Sequence, residues 1–116
     1  MSRPKKYKKV CRLPKVNEFY PQSGSDNKII MTVDEYETIR LIDKEGFSQE
    51  ECAGYMRVAR TTVQQIYNTA RTKIANAIVE GIGIRIEGGN YILCDGGEKE
   101  CCCGGCNKHR NMRCNE

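Results

Sequence analysis

The 116-residue sequence has no Trp, two Phe, one His and three Pro. With so few large aromatics, the core has to be small and mostly aliphatic. A single His, no nucleophile motif, no Gly-rich phosphate loop and no paired carboxylates leave little for acid–base or covalent chemistry, so the chain reads as not an enzyme. No run of about 18 apolar residues occurs, which excludes a transmembrane helix. The N-terminus, MSRPKKYKKV, is charged but leads into no apolar segment, unlike a secretory signal. The expected location is therefore cytoplasmic.

Charge is present but unevenly placed. The net charge of the whole chain is only +4. Residues 1–31 carry eight Lys/Arg against Glu18 and Asp26, a net +6. Residues 32–81 sum to −2, and residues 82–116 to zero. A positive field concentrated at one end attracts polyanions, of which nucleic acid is the usual one. Eight Cys is a high count for this length. In a reducing compartment it points to metal or redox chemistry rather than to disulfides.

The expected fold is mainly α with a small β component. It consists of a three-helix core, a C-terminal β-hairpin and an irregular Cys-rich tail, divided at 1–31, 32–93 and 94–116. Residues 1–9 read as a flexible basic arm. VCRLPKVNEFY, residues 10–20, has extended character with a Pro inside, so any strand there is short or at an edge. Residues 21–28 are a loop by composition. Thr32 with Glu35, and Ser48 with Glu51, are capping boxes that announce two helices. Val33, Tyr36, Ile39 and Ile42 give the first of these an apolar stripe, and Gly46 stops it. The second helix runs from Gln49 to about Met56. A third begins near Arg60, carries Val63, Ile66, Tyr67, Ala70, Ile74, Ala77 and Ile78 at helical spacing, and ends at Gly81. The period then changes to that of a strand: Ile82, Ile84 and Ile86 alternate with Gly83 and Arg85. Gly88-Gly89 would turn this strand back into Tyr91–Leu93 as a hairpin over residues 82–93.

SQEECAGYMRVARTTVQQIYN, residues 48–68, has the pattern of a helix-turn-helix. Ala53 is the small residue needed where two helices cross closely. Cys52, Met56, Val58, Val63 and Ile66 are spaced to fill the angle between them, with Cys52 a small buried hydrophobe rather than a ligand. The polar positions are left facing outward. Gln and Asn can bond bidentately to adenine, Arg to guanine, and a Thr methyl can meet the thymine methyl. Arg60, Thr61, Thr62, Gln64 and Gln65 are the expected DNA readers, with Asn68 and Arg71 nearer the phosphates. Arg57 stands where the turn usually holds Gly. A non-Gly residue at positive φ costs roughly 1 kcal/mol, and Arg57 could add a phosphate contact. Arg3, Lys5, Lys6, Lys8 and Lys9 are the expected phosphate or minor-groove anchor.

The stretch from Thr32 to Gly81 resembles region 4 of sigma factors. More closely, the chain is similar to a family of small, uncharacterised prokaryotic proteins taken to bind DNA. The likeness rests on the basic Arg3-Pro4-Lys5-Lys6 start, Val10-Cys11-Arg12-Leu13-Pro14, the helix-turn-helix and the segment from Arg85 to Tyr91, and covers about residues 3–93. It implies DNA binding and brings no operator, ligand or catalytic activity with it. The length leaves no room for a sigma factor's further promoter-reading and polymerase-binding domains. A stand-alone module of this kind usually dimerises to gain a second half-site, so a homodimer on double-stranded DNA is expected.

The tail gathers Cys94, Cys101, Cys102, Cys103, Cys106, His109 and Cys114 within 21 residues. Cys103-x2-Cys106-x2-His109 has ligand-like spacing, with Gly104-Gly105 able to fold round an ion. Cys101, Cys103, Cys106, His109 and Cys114 supply more donors than one zinc site or iron–sulfur cluster needs, and their spacing does not choose among them. Cys11, apart from the tail, is expected to be buried. The leading expectation is a sequence-specific DNA-binding transcriptional regulator, responsive to metal or redox state through the tail. The alternative is a metal-binding or iron–sulfur-related accessory protein that uses its helices for protein contacts.

Overall fold

A computed structural model of the chain describes residues 8–24 and 26–93. Three helices and two small sheets form a mixed α/β arrangement. The strands are β1 (Lys8–Val10), β2 (Glu18–Phe19), β3 (Lys28–Met31), β4 (Gly83–Ile86) and β5 (Tyr91–Leu93). The helices are α1 (Val33–Thr38), which continues as a π-helical segment over Ile39–Lys44, α2 (Gln49–Met56) and α3 (Arg60–Glu80).

Both capping boxes form. The Glu35 and Glu51 amides donate to the hydroxyls of Thr32 and Ser48, and their carboxylates accept from the amides of those residues. Each box satisfies helix-end donors that would otherwise lack a partner. In α1 the fully buried row is Val33, Glu37 and Leu41, all at most 2% exposed. Of the expected stripe of Val33, Tyr36, Ile39 and Ile42, Val33 is buried and the other three are half-buried. Glu37 explains the difference. Its carboxylate accepts two hydrogen bonds from Arg40, at 2.9 and 2.8 Å, and one from the Cys11 amide at 3.1 Å. Paired in this way a carboxylate can occupy a core position, which a pattern of apolar residues does not register.

The expected C-terminal hairpin does not form. β4 is the centre of a three-stranded sheet, antiparallel to β2 on one side and parallel to β3 on the other. β5 pairs in parallel with β1, matching Lys8 to Tyr91 and Val10 to Leu93. The alternation of Ile82, Ile84 and Ile86 marked a strand without marking its partner. Between two neighbours β4 satisfies both of its hydrogen-bonding edges, which a hairpin would not do. Gly88 and Gly89 do take positive φ, at 80° and 100°. They carry the chain onto the start of α1, where the Val33 amide donates to the Gly88 carbonyl at 2.9 Å. A Cβ at Gly89 would collide with the buried Asp34 carboxylate.

Lys8 and Lys9, expected in a flexible basic arm, belong instead to β1; residues 1–7 lie outside the described residues. β1, β2 and β3 lie before the helices in the chain, yet they pair with β4 and β5 beyond them, so residues 8–31 pack with the helical region. Two apolar clusters result. Val10, Met31, Val33, Ala70 and Ile86 fill the space between the strands, α1 and α3. Cys11, Leu41, Cys52, Ala53, Tyr55, Met56 and Val63 hold α2 against α3 and the end of α1. Cys11 and Cys52 are both buried, as expected. No helix of the described residues is long and apolar enough to cross a membrane.

Candidate nucleic-acid interface

α2 and α3 are joined by Arg57, Val58 and Ala59. Arg57 is left-handed, with φ 64° and ψ 42°, and is the one non-Gly residue at positive φ among the described residues. The amides of Arg57 and Val58 both donate to the Ala53 carbonyl. This is a left-handed C-terminal cap, with Arg in the place that Gly usually takes. The motif brings Val58 back onto the cluster that contains Ala53, so the turn and the helix crossing share one set of contacts. Cys52, Met56 and Val63 are fully buried, Ala53 is 6% exposed, and Val58 and Ile66 are half-buried. Of the residues expected to fill the angle, Cys52, Met56, Val58 and Val63 do so, and Ile66 is in neither apolar cluster.

α3 begins without a side-chain cap, since Ala59 stands at that position. Its first amides are left to water or to a ligand, and the positive end of the helix dipole points outward. Arg60, Thr61, Gln64, Gln65, Asn68 and Arg71 are exposed, while Thr62 is half-buried. Residues 60, 64, 68 and 71 follow i+4, i+4 and i+3 steps, which places them on one face of α3. Arg57 is exposed beside them in sequence. The surroundings are not uniformly positive, because Glu50 and Glu51 are exposed at the start of α2.

Tyr67 organises the next turn of α3. Its ring is buried, and its hydroxyl donates to Asp43 Oδ1 at 2.7 Å and accepts from Arg71 Nη1 at 3.1 Å. The Arg71 guanidinium carbon stands 5.4 Å from the centre of the same ring. Burial raises the Tyr67 hydroxyl above its ordinary pKa, and the hydrogen bond to Asp43 adds to the shift. Arg71 is thus held in place instead of extending loosely into solvent. Lys73 Nζ lies 2.8 Å from Glu35 Oε1 and ties α3 to α1. Tyr67 and Arg71 form an i+4 pair that can be read from sequence; Asp43, which arrives from the π-helical turn, cannot be found that way.

The expected basic anchor divides in two. Arg3, Lys5 and Lys6 lie outside the described residues. Lys8 pairs with Asp34 at 3.4 Å, and Lys9 is 7% exposed with its ammonium 4.3 Å from the centre of the Tyr55 ring. Both lysines are engaged within the fold. Ile78, expected on the apolar face of α3, is instead 74% exposed beside Val79 at 77%, although Ala77 in the same turn is buried. The expected metal ligands Cys101, Cys103, Cys106, His109 and Cys114 lie outside the described residues. Among the described residues no group of three or more potential ligands could hold a metal ion.

The family model described as "Protein of unknown function DUF134" matches residues 1–94. The chain belongs to this family. It is 56% identical over 117 residues to a UPF0251 protein of Desulfitobacterium hafniense (strain Y51), covering 98% of this chain and 94% of the relative. A UPF0251 protein of Thermoanaerobacter pseudethanolicus is 43% identical over 116 residues, covering 97% and 92%. One from Caldicellulosiruptor bescii is 50% identical over 93 residues, covering 80% of this chain and 66% of the relative. The family model ends at Cys94, where the Cys-rich tail begins, whereas the first two matches take in almost the whole chain. No solved structure matches the chain.

Proposed function

We propose that this protein is a sequence-specific, double-stranded-DNA-binding transcriptional regulator and not an enzyme. The observation that carries this reading is the polar, non-acidic face of α3, which contains Arg60, Gln64, Asn68 and Arg71 and adjoins an uncapped helix start and a three-residue turn onto α2. In this proposal α2 and α3 act as a helix-turn-helix, and the start of the second helix enters the major groove. Arg60, Thr61, Gln64 and Gln65 supply the donors and acceptors that discriminate base pairs there. Thr62, being half-buried, takes a smaller part. Arg57, Arg71 and the first amides of α3 suit phosphate. The Arg3, Lys5 and Lys6 segment adds positive charge in chain order just before β1. Two copies would place two such helices on successive half-sites. In this proposal the tail cysteines make DNA binding responsive to metal or redox state.

The test is the Arg60→Ala, Gln64→Ala double variant on a duplex selected by the wild-type protein. Two base-reading contacts are together worth about 2–6 kcal/mol, a loss of at least roughly thirtyfold in specific affinity. Binding to unrelated duplexes should change far less. Wild-type affinity in the double variant would overturn the assignment of α3 as the reader. DNA affinity unchanged by chelator, oxidant and removal of residues 94–116 would overturn the proposed role of the tail.

A further inference from the structure

The segment from Cys11 to Val16 crosses in front of α1 and its π-helical extension. Between them lies an open cavity of about 710 Å³, whose wall includes Asp43, the carboxylate that accepts from the Tyr67 hydroxyl. Its volume is within the range of small-molecule sites, roughly 300–1,000 Å³. One part of the lining is apolar. Leu13, Val16 and Phe19 are 48%, 53% and 54% exposed, with Ile39 from the π-helical turn opposite. Three large apolar side chains left uncovered together around one concavity are costly in water unless something is received there.

The other part is charged. Arg12, Lys15, Arg40 and Lys44 line the cavity, against Asp43 and Glu45, leaving a net +2. The two carboxylates are already engaged. Asp43 accepts from Tyr67, and Glu45 lies 3.6 Å from Arg40 and 3.8 Å from Lys44. Arg40 is further held by Glu37. Arg12 and Lys15 have no ion-pair partner among the described residues. The uncompensated positive charge therefore comes from the same short segment as Leu13 and Val16.

We propose that this cavity binds a small organic anion, one acidic group on a flat or branched apolar body. Arg12 and Lys15 receive the acidic group; a planar guanidinium matches a carboxylate or similar oxyanion. Leu13, Val16, Phe19 and Ile39 receive the apolar body. Inorganic phosphate would use only the first half of this lining, and a neutral hydrocarbon only the second. The acidic start of the Cys-rich tail could meet the charges but has too few apolar side chains to cover the wall. The proposal stands independently of DNA binding.

The probe is anilinonaphthalene sulfonate, titrated into the full-length protein and followed by its fluorescence. Saturable binding of one probe per chain is expected. Arg12→Ala with Lys15→Ala should weaken it at least tenfold, and the single Lys15→Glu change, at an exposed position, should weaken it in the same direction. Ile78→Ser with Val79→Ser, which removes a separate exposed apolar patch, should leave it unchanged. Inorganic phosphate should compete poorly and 2-naphthoate well. The proposal is overturned if neither basic-residue variant lowers the affinity, if the Ile78/Val79 variant abolishes binding, or if binding appears only after residues 94–116 are removed, which would make the tail the occupant.

Discussion

Replacing Arg57 tests the turn on which the relation of α2 to α3 depends. The residue holds φ 64° and ψ 42°, a conformation that costs an L-residue with a side chain roughly 1–2 kcal/mol relative to the right-handed region. Removing the Arg side chain also removes whatever it contacts, so the informative comparison is Arg57→Gly against Arg57→Ala. Both lose the same contacts, and only Ala keeps the left-handed penalty. Gly has more unfolded-state entropy to lose, worth roughly 0.4–1 kcal/mol. The balance leaves Arg57→Gly more stable than Arg57→Ala by about 0.5–1 kcal/mol, or about 2–6 °C in Tm for a domain of this size. In an ordinary helical position the order is reversed, with Gly worse by about 1 kcal/mol. Thermal and urea unfolding followed by far-UV circular dichroism would give the sign. If Arg57→Ala is the more stable of the two, the left-handed closure onto the Ala53 carbonyl is refuted. Where the DNA proposal holds, both variants should also lower the salt dependence of binding by about one phosphate contact.

Further outcomes follow from the interior. Burial, with Glu37 adding to it, pushes the Cys52 thiol from an ordinary 9.0 up to about 12. The folded protein keeps the thiol neutral while the unfolded chain ionises it above pH 9, so stability falls as pH rises between about 9 and 12. The contribution of Cys52 approaches about 1.4 kcal/mol per pH unit, and a Cys52→Ala variant should show a correspondingly flatter alkaline unfolding profile. Glu37→Ala removes the carboxylate that accepts from Arg40 and from the Cys11 amide, while Glu45 stays 3.6 Å from Arg40, and should cost about 1–3 kcal/mol in urea unfolding; no measurable cost would mean the buried pair is not formed. Gly89→Ala adds a strained backbone at φ 100° to a collision with Asp34, and should lower stability by about 2 kcal/mol or more, measured by the same unfolding curves.

What could be read in advance was local. The capping boxes at Thr32 and Ser48, the stop at Gly81 and the left-handed Arg57 depend on neighbours within five residues, and all are present. The packing of Cys52, Ala53, Met56 and Val63 follows from helical spacing and was equally legible. The pairing of β4 was not, because period-two alternation identifies a strand while its partners lie more than 50 residues away. Lys9 and Glu37 were hidden for a different reason. A buried Lys over Tyr55 and a buried carboxylate held by Arg40 are permitted only by partners that the fold brings to them. Asp43 and the cavity between Arg12 and Lys44 belong to the same class: the first depends on Tyr67 of α3, and the second exists only once the N-terminal segment is laid across α1.

The most direct test of the central claim is selection of bound duplexes from a random pool by the full-length protein, in reductant and without chelator. The DNA-binding proposal predicts enrichment of a defined motif, arranged as two related half-sites about one helical turn apart if the protein is a dimer, and loss of that enrichment in the Arg60→Ala, Gln64→Ala variant. Recovery of no motif, or of the same motif by the variant, would contradict it.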